Sequence, residues 1–370
     1  MKKLKVVTLF GTRPEAIKMA PLVKELESRK EIASVVISTG QHKEMLQQVL
    51  DIFEISPDYD LEIMSKKQTL AGITTAILTK LTPILEQEGP DVILVHGDTT
   101  TAFVGGLTAF YNQIPIGHVE AGLRTYDKYS PFPEEMNRQL IDRLADYYYA
   151  PTPENKESLL KENVSEKAII VTGNTAIDAM SYTVGKTDIS DIVQKNNEES
   201  KLMVLTMHRR ENLGEPMKQT LKAIRQVLDN HPDYELVFPV HLNPVVQDMA
   251  KSVLGDHDRV HLINPLDVVE FHNLIAHAEL ILSDSGGVQE EAPHLNKPVL
   301  VLRESTERTE AVTSGTVKLI GTTYDGVLTE IEELLSHPES YEKMADAQNP
   351  YGDGQASRRI VDHLIDSLGE

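Results

Sequence analysis

Short apolar runs alternate with longer amphipathic stretches along almost the whole chain, and this alternation constrains the fold more than any other feature. Strand-like runs at Leu4–Phe10 and at residues 34–39, 92–95, 114–119, Tyr147–Ala150 and 168–171 form a first series. The runs at 92–95 and 114–119 are brief and apolar on both faces, the pattern of buried parallel strands. A polar, aperiodic segment at 185–200 reads as a linker. The alternation then resumes, with strands at 202–206, 235–240, 259–263, 280–282 and 298–302 between helical stretches. A chain of 370 residues is too long for one ordinary core. Two such series therefore predict an α/β fold of two doubly wound domains. The last helix, near 355–368, carries an apolar stripe at Ile360, Leu364 and Ile365.

In open α/β sheets ligands bind beyond the carboxyl ends of the strands, so the residues ending each run are the candidates for chemistry. After the first run, Gly11-Thr12-Arg13-Pro14-Glu15 is a strand–turn–helix that offers Arg13, and Lys18 one turn later, to an anion. Gln41 and His42 end the second run, where capping and ligand contact are equally open. The stretch 91–138 is the densest: His96-Gly97-Asp98, then His118-Val119-Glu120, then Glu134 opening a helix after Pro133. Asp98, Glu120 and Glu134 are expected to converge on one crevice. Thr99 begins a helix whose small face, Ala102 with Gly105 and Gly106, predicts close packing on the sheet. In the second half the same edge receives His208-Arg209-Arg210 and the turn Ser285-Gly286-Gly287. There Ser285 is expected to cap a helix and the glycines to let its amides approach a pyrophosphate, with Arg308 nearby.

Composition narrows the chemistry. A net charge of −21 argues against affinity for nucleic acid or an anionic membrane, so local positive islands carry more information. The absence of cysteine excludes disulfides, thiolate nucleophiles and Cys-based zinc sites. No apolar run approaches the roughly 20 residues of a membrane span. The apolar start is too short for a signal-peptide core and lacks a cleavage site, so cytoplasmic residence is expected. There is no G-x-G-x-x-G, H-E-x-x-H or G-x-S-x-G, and neither a cofactor nor a metal is expected.

GTRPEAIKMAPL (11–22), GQHKEM (40–45), HGDTTT (96–101), HVEAGLRT (118–125), PFPEEMNR (131–138), TGNTAIDA (172–179), HRRENLG (208–214), PVHLNP (239–244) and DSGGVQEEAP (284–293) occur in this order. Together they resemble the non-hydrolysing UDP-N-acetylglucosamine 2-epimerases of bacteria along essentially the whole chain. The resemblance implies two Rossmann-like domains facing a cleft, the GT-B type, with a C-terminal helix crossing back to the first. Residues 1–172 with 356–370 would form the sugar and activator side, and 173–355 the UDP side. It implies catalysis by Asp98, Glu120, Glu134 and His208. UDP and sugar would be held by Arg13, Lys18, Arg138, Phe271 near the uracil, Ser285, Gly286, Gly287, Glu291 on the ribose, and Arg308. A second UDP-GlcNAc would bind as activator at Gln41, His42, Met45, Gln68 and His241. Lys67 and Thr309 depart from the family pattern; lysine cannot reproduce an arginine's bidentate fork. A homodimer interconverting UDP-GlcNAc and UDP-ManNAc for cell-envelope polysaccharide synthesis follows from the same likeness. The competing readings are a hydrolysing epimerase, a GT-B glycosyltransferase and a non-catalytic nucleotide-sugar sensor.

Overall fold

A computed structural model describes residues 3–40, 43–64, 69–306 and 308–369, and the side chains of residues 43–45 lie outside that description. The chain divides into two compact units, Met1–Tyr182 with Tyr351–Glu370, and Thr183–Pro350. No described helix is long and apolar enough to cross a membrane.

The first unit holds strands β1 (Leu4–Phe10), β2 (Ile32–Ser38), β3 (Tyr59–Asp60), β4 (Val92–His96), β5 (Ile116–Val119), β6 (Tyr147–Ala150) and β7 (Ile169–Val171). They pair in parallel in the order β3-β2-β1-β4-β5-β6-β7. Both sheet faces are covered, which explains the continuous apolar runs. Along β1, Val6 and Phe10 enter one core with Met19, Leu22 and Leu26 of the helix Arg13–Ser28. Val7 and Leu9 enter the other, with Ile77, Leu81 and Leu85 of the helix Leu70–Glu88. Each fully buried leucine or isoleucine contributes about 1.5–3 kcal/mol. The close approach expected of the helix Thr100–Tyr111 rests on one glycine: a Cβ at Gly105 would lie 2.2 Å from Leu9 Cδ2, whereas one at Gly106 would meet nothing within 4 Å.

The second unit holds β8 (Lys201–Thr206), β9 (Tyr234–Pro239), β10 (Val260–Ile263), β11 (Ala278–Ser283), β12 (Val299–Val301) and β13 (Val317–Leu319). Their order is β10-β9-β8-β11-β12-β13, again parallel. Two neighbouring strands whose crossovers run to opposite sides mark a switch point, where the following loops splay apart. In the first sheet that pair is β1 and β4, and in the second β8 and β11.

Three places differ from the sequence pattern. The segment 185–200 is fastened to the second unit: the buried Glu235 carboxylate accepts the Asn196 and Asn197 amides at 3.0 and 3.1 Å. Strand β13 and the helices Tyr324–Ser336 and Pro338–Ala345 follow Arg303, where the apolar runs are too short to announce themselves. The helix Thr175–Thr183, beyond the expected boundary at 172, contributes all but its last residue to the first unit.

That helix also receives the returning chain. The terminal helix Ala356–Leu368 has no side-chain cap of its own at Gln355. Asp178 supplies one from outside, accepting the Ala356 and Ser357 amides at 3.1 and 2.7 Å. Ile360, Val361 and Leu364 then join the first unit's core. Asp178→Ala should lower stability by about 1–2 kcal/mol and speed amide exchange in the first turn of the terminal helix. An unchanged denaturation midpoint would contradict this capping role.

Candidate active site

The turn after β1 is built by its own residues. Thr12 and Glu15 form a capping box, and Glu15 Oε2 accepts the Gly11 and Thr12 amides at 3.1 and 2.8 Å. Its other oxygen accepts the Thr99 hydroxyl at 2.6 Å, tying this turn to the loop after β4. Burial pushes the Glu15 carboxyl up, partly offset by those hydrogen bonds. The two turns flanking the first switch point are thus locked together; Asp98 lies in one, and Arg13 and Lys18 in the helix that follows the other.

Glu120 follows β5 in a left-handed conformation, φ 67°, uncommon for a residue with a side chain. Its carboxylate is bonded to Lys18 Nζ, lies 3.4 Å from His96 Nε2, and accepts from Asn174 Nδ2 at 3.3 Å. The Asn174 amide is oriented by its own oxygen, which accepts the Ala176 amide at 2.9 Å. Burial alone would push the Glu120 carboxyl up, but Lys18 and His96 outweigh it and hold the group well below the usual range. Glu120 is therefore ionised, and Lys18, expected on a phosphate, is its partner here.

Asp98 ends the loop after β4 and is bound to Arg138 at 2.5 Å, while its carbonyl accepts from Asn137 Nδ2 at 2.9 Å. Arg138 is also 3.2 Å from the buried Glu135, which anchors the Thr125 and Tyr126 amides at 3.0 Å each. Glu134 opens the same helix, Glu134–Leu144, four residues before Arg138 and so on the same face. Behind these groups His118 joins the Gly97 carbonyl, at 2.7 Å, to Asp142, at 2.6 Å. Burial opposes ionisation of Asp142, yet His118 and Arg124 hold it below the usual range.

In the second unit, Asp284 follows β11 and accepts the His208 and Arg209 amides through one oxygen, both at 2.9 Å. The His208 ring stacks on His241 at 5.5 Å and 12°. The structure thus brings together a residue expected on the leaving group and one expected at the activator site. Ser285 stands at the N-cap of the helix Gly286–Glu291 but makes no side-chain cap bond, contrary to expectation. Its amide is engaged instead, donating to Ser283 Oγ at 3.0 Å. The Arg308 guanidinium lies so close to Gly286 that a Cβ there would be 2.8 Å from its carbon. Glu290 holds Arg308 at 2.8 Å. Glu291 lies 3.5 Å from the buried His272, beside the half-buried Phe271. Gln41, His42, Lys67 and Gln68 lie outside the described residues, as does the side chain of Met45.

Sequence reasoning passed over Glu15, His96, Asn174, Glu135, Asp284 and Glu290 as site residues. The T-x-x-E spacing of a capping box would have found Glu15. Glu135 acts within ten residues of itself, on Thr125, Tyr126 and Arg138; His96, Asn174, Asp284 and Glu290 act through contacts between separate segments, which no local pattern records.

Because the folded Glu120 carboxyl is depressed, its ionisation stabilises the native state above the unfolded value. That contribution is lost as pH falls through the depressed one. Lys18→Met should therefore raise the Glu120 titration midpoint in carbon-13 NMR and move acid unfolding to higher pH. A midpoint that stays in place would contradict the pairing.

The family model for UDP-N-acetylglucosamine 2-epimerase matches residues 24–365. A UDP-N-acetylglucosamine 2-epimerase of Bacillus subtilis (strain 168) is 57% identical over 369 residues, spanning 100% of this chain and 97% of its own. A crystal structure of UDP-N-acetylglucosamine 2-epimerase at 55% identity has a TM-score of 0.93 and covers 100% of this chain and 97% of the other. The Neisseria meningitidis UDP-GlcNAc 2-epimerase, crystallised with UDP-GlcNAc bound, is 48% identical with a TM-score of 0.86, over 98% of this chain and 100% of that one. Two Rossmann-like doubly wound domains of the GT-B type are the common fold, and the chain belongs to the UDP-N-acetylglucosamine 2-epimerase family.

Proposed function

We propose that the protein reversibly inverts C2 of UDP-GlcNAc to give UDP-ManNAc, without net hydrolysis, by anti elimination and re-addition of UDP. The observation that carries this reading is the half-buried Glu120 carboxylate, bonded to Lys18 and close to His96, which hold it below the usual range beside the switch point that also bears Asp98. The C2 hydrogen of an N-acetylhexosamine is not acidic, because no carbonyl adjoins that carbon. Breaking the C1–O bond first sends its electron pair to UDP and leaves positive charge at C1. That charge acidifies C2–H. A carboxylate takes the proton, the C–H pair becomes the C1–C2 double bond, and 2-acetamidoglucal results. Protonation of C2 from the opposite face and return of UDP oxygen to C1 complete the inversion.

Asp98 and Glu120 serve as the acid/base pair, with Glu134 supporting the cationic sugar. Arg13 and Arg308, with the amides after Ser285, stabilise the departing diphosphate, each well-placed donor contributing about 3–4 kcal/mol. His208 acts on the leaving group, Phe271 beside the base and Glu291 on the ribose. Gln41, His42, Met45, Gln68 and His241 would take a second UDP-GlcNAc as activator. A cytoplasmic homodimer supplying UDP-ManNAc to cell-envelope polysaccharide synthesis completes this reading.

Proton NMR of a reaction begun with UDP-GlcNAc alone should show UDP-ManNAc approaching equilibrium with it. Accumulation of free ManNAc and UDP would establish the hydrolysing reaction instead. In the same assay Asp98→Asn should lose about 10²–10⁴-fold in turnover with UDP affinity nearly unchanged. Normal turnover in that variant would remove Asp98 from the acid/base pair.

A further inference from the structure

We propose that Asp284 is a positioning residue that sets the tautomer of His208, keeping the Nδ1 proton toward the protein and leaving Nε2 to face the diphosphate. This rests on the reading of His208 as the group that acts on departing UDP.

Asp284 is fully buried, and its two oxygens are engaged differently. Oδ2 accepts the His208 and Arg209 amides, both at 2.9 Å, and Asn212 Nδ2 at 3.0 Å. Those bonds fix the backbone of the turn after β8. The Asp284 carbonyl adds a fourth tie, accepting Arg209 Nε at 2.8 Å. Oδ1, in contrast, is buried with no hydrogen bond. It lies 3.4 Å from His208 Nδ1. A buried carboxylate oxygen is expected to find a donor, and an Nδ1–H on His208 is the donor this geometry offers. The other neutral tautomer would set a nitrogen lone pair against the carboxylate, with acceptor facing acceptor.

The ring is held on its face as well as its edge. His241 stacks on it at 5.5 Å and 12°, which limits rotation away from Asp284. With Nδ1 so committed, Nε2 is the free edge of the ring. Once protonated, it can donate to the phosphate oxygen that gains charge as the C1–O bond breaks. Asp284 touches no reacting atom; it acts through His208, as the buried carboxylate of a hydrolase triad acts through its histidine. The paired signal in sequence is an aspartate just after β11 and a histidine two residues after β8, the two strands of the second switch point.

The test uses the full-length protein labelled with nitrogen-15 histidine, in the presence of UDP. Long-range proton–nitrogen correlation should show His208 protonated at Nδ1, whether or not Nε2 also carries a proton; an Nε2–H ring with Nδ1 bare overturns the proposal without need of a variant. Asp284→Asn keeps an oxygen for the turn's three donors but places an amide N–H before Nδ1. It should switch the ring to the Nε2–H form and lower kcat about 100-fold or more, with KM changed less than about threefold. An unchanged tautomer with unchanged kcat overturns the positioning role. If Asp284→Asn fails to fold, the wild-type spectrum still decides. Full turnover in His208→Gln would overturn the reading of His208 itself, and an Nδ1–H spectrum alongside it would locate the failure there.

Discussion

The pairing of Glu120 with Lys18 is the interaction on which the first unit's site depends. A carboxylate drawn this far out of water loses hydration that a cation and hydrogen bonds must replace. Lys18 comes from the helix after β1, His96 from the end of β4, and Asn174 from the turn after β7. Satisfying Glu120 therefore requires a helix, a strand end and a turn from separate parts of the chain to be in place together. The left-handed backbone at Glu120 is tolerated because these partners over-determine its side chain.

The second unit solves the complementary problem. Its switch point presents positive groups, and each is steadied by an acid behind it: Glu290 behind Arg308, Asp284 beneath the turn that carries His208 and Arg209. Held this way, a guanidinium loses little freedom when it meets an anion, which is the preorganisation that electrostatic catalysis requires. The overall charge of −21 makes these islands the exception on an acidic protein.

Much of this was legible in the sequence. Parallel strands buried on both faces read as plain apolar runs, so β1, β4, β5, β8 and β11 were visible, and with them the polar residues at their ends. Asp98, Glu120, His208 and the Ser285-Gly286-Gly287 turn followed from that rule alone. What stayed hidden depends on contacts between distant segments. Nothing near residue 178 announces that Asp178 caps a helix beginning at residue 356. Nothing local ties Asn174 to Glu120, or shows that Ser285 makes no side-chain cap bond. Edge strands such as β13, only Val317–Leu319, are too brief for periodicity to register.

The central claim is that C2 loses its hydrogen to a protein carboxylate while C1 is free of UDP. The direct measurement is proton NMR of UDP-GlcNAc turned over in deuterated buffer. Deuterium should appear at C2 of the product, and in recovered substrate as equilibrium is approached. Epimerised product that retains its original C2 hydrogen would contradict it, because the hydrogen would then have moved without exchanging through an acid such as Asp98 or Glu120.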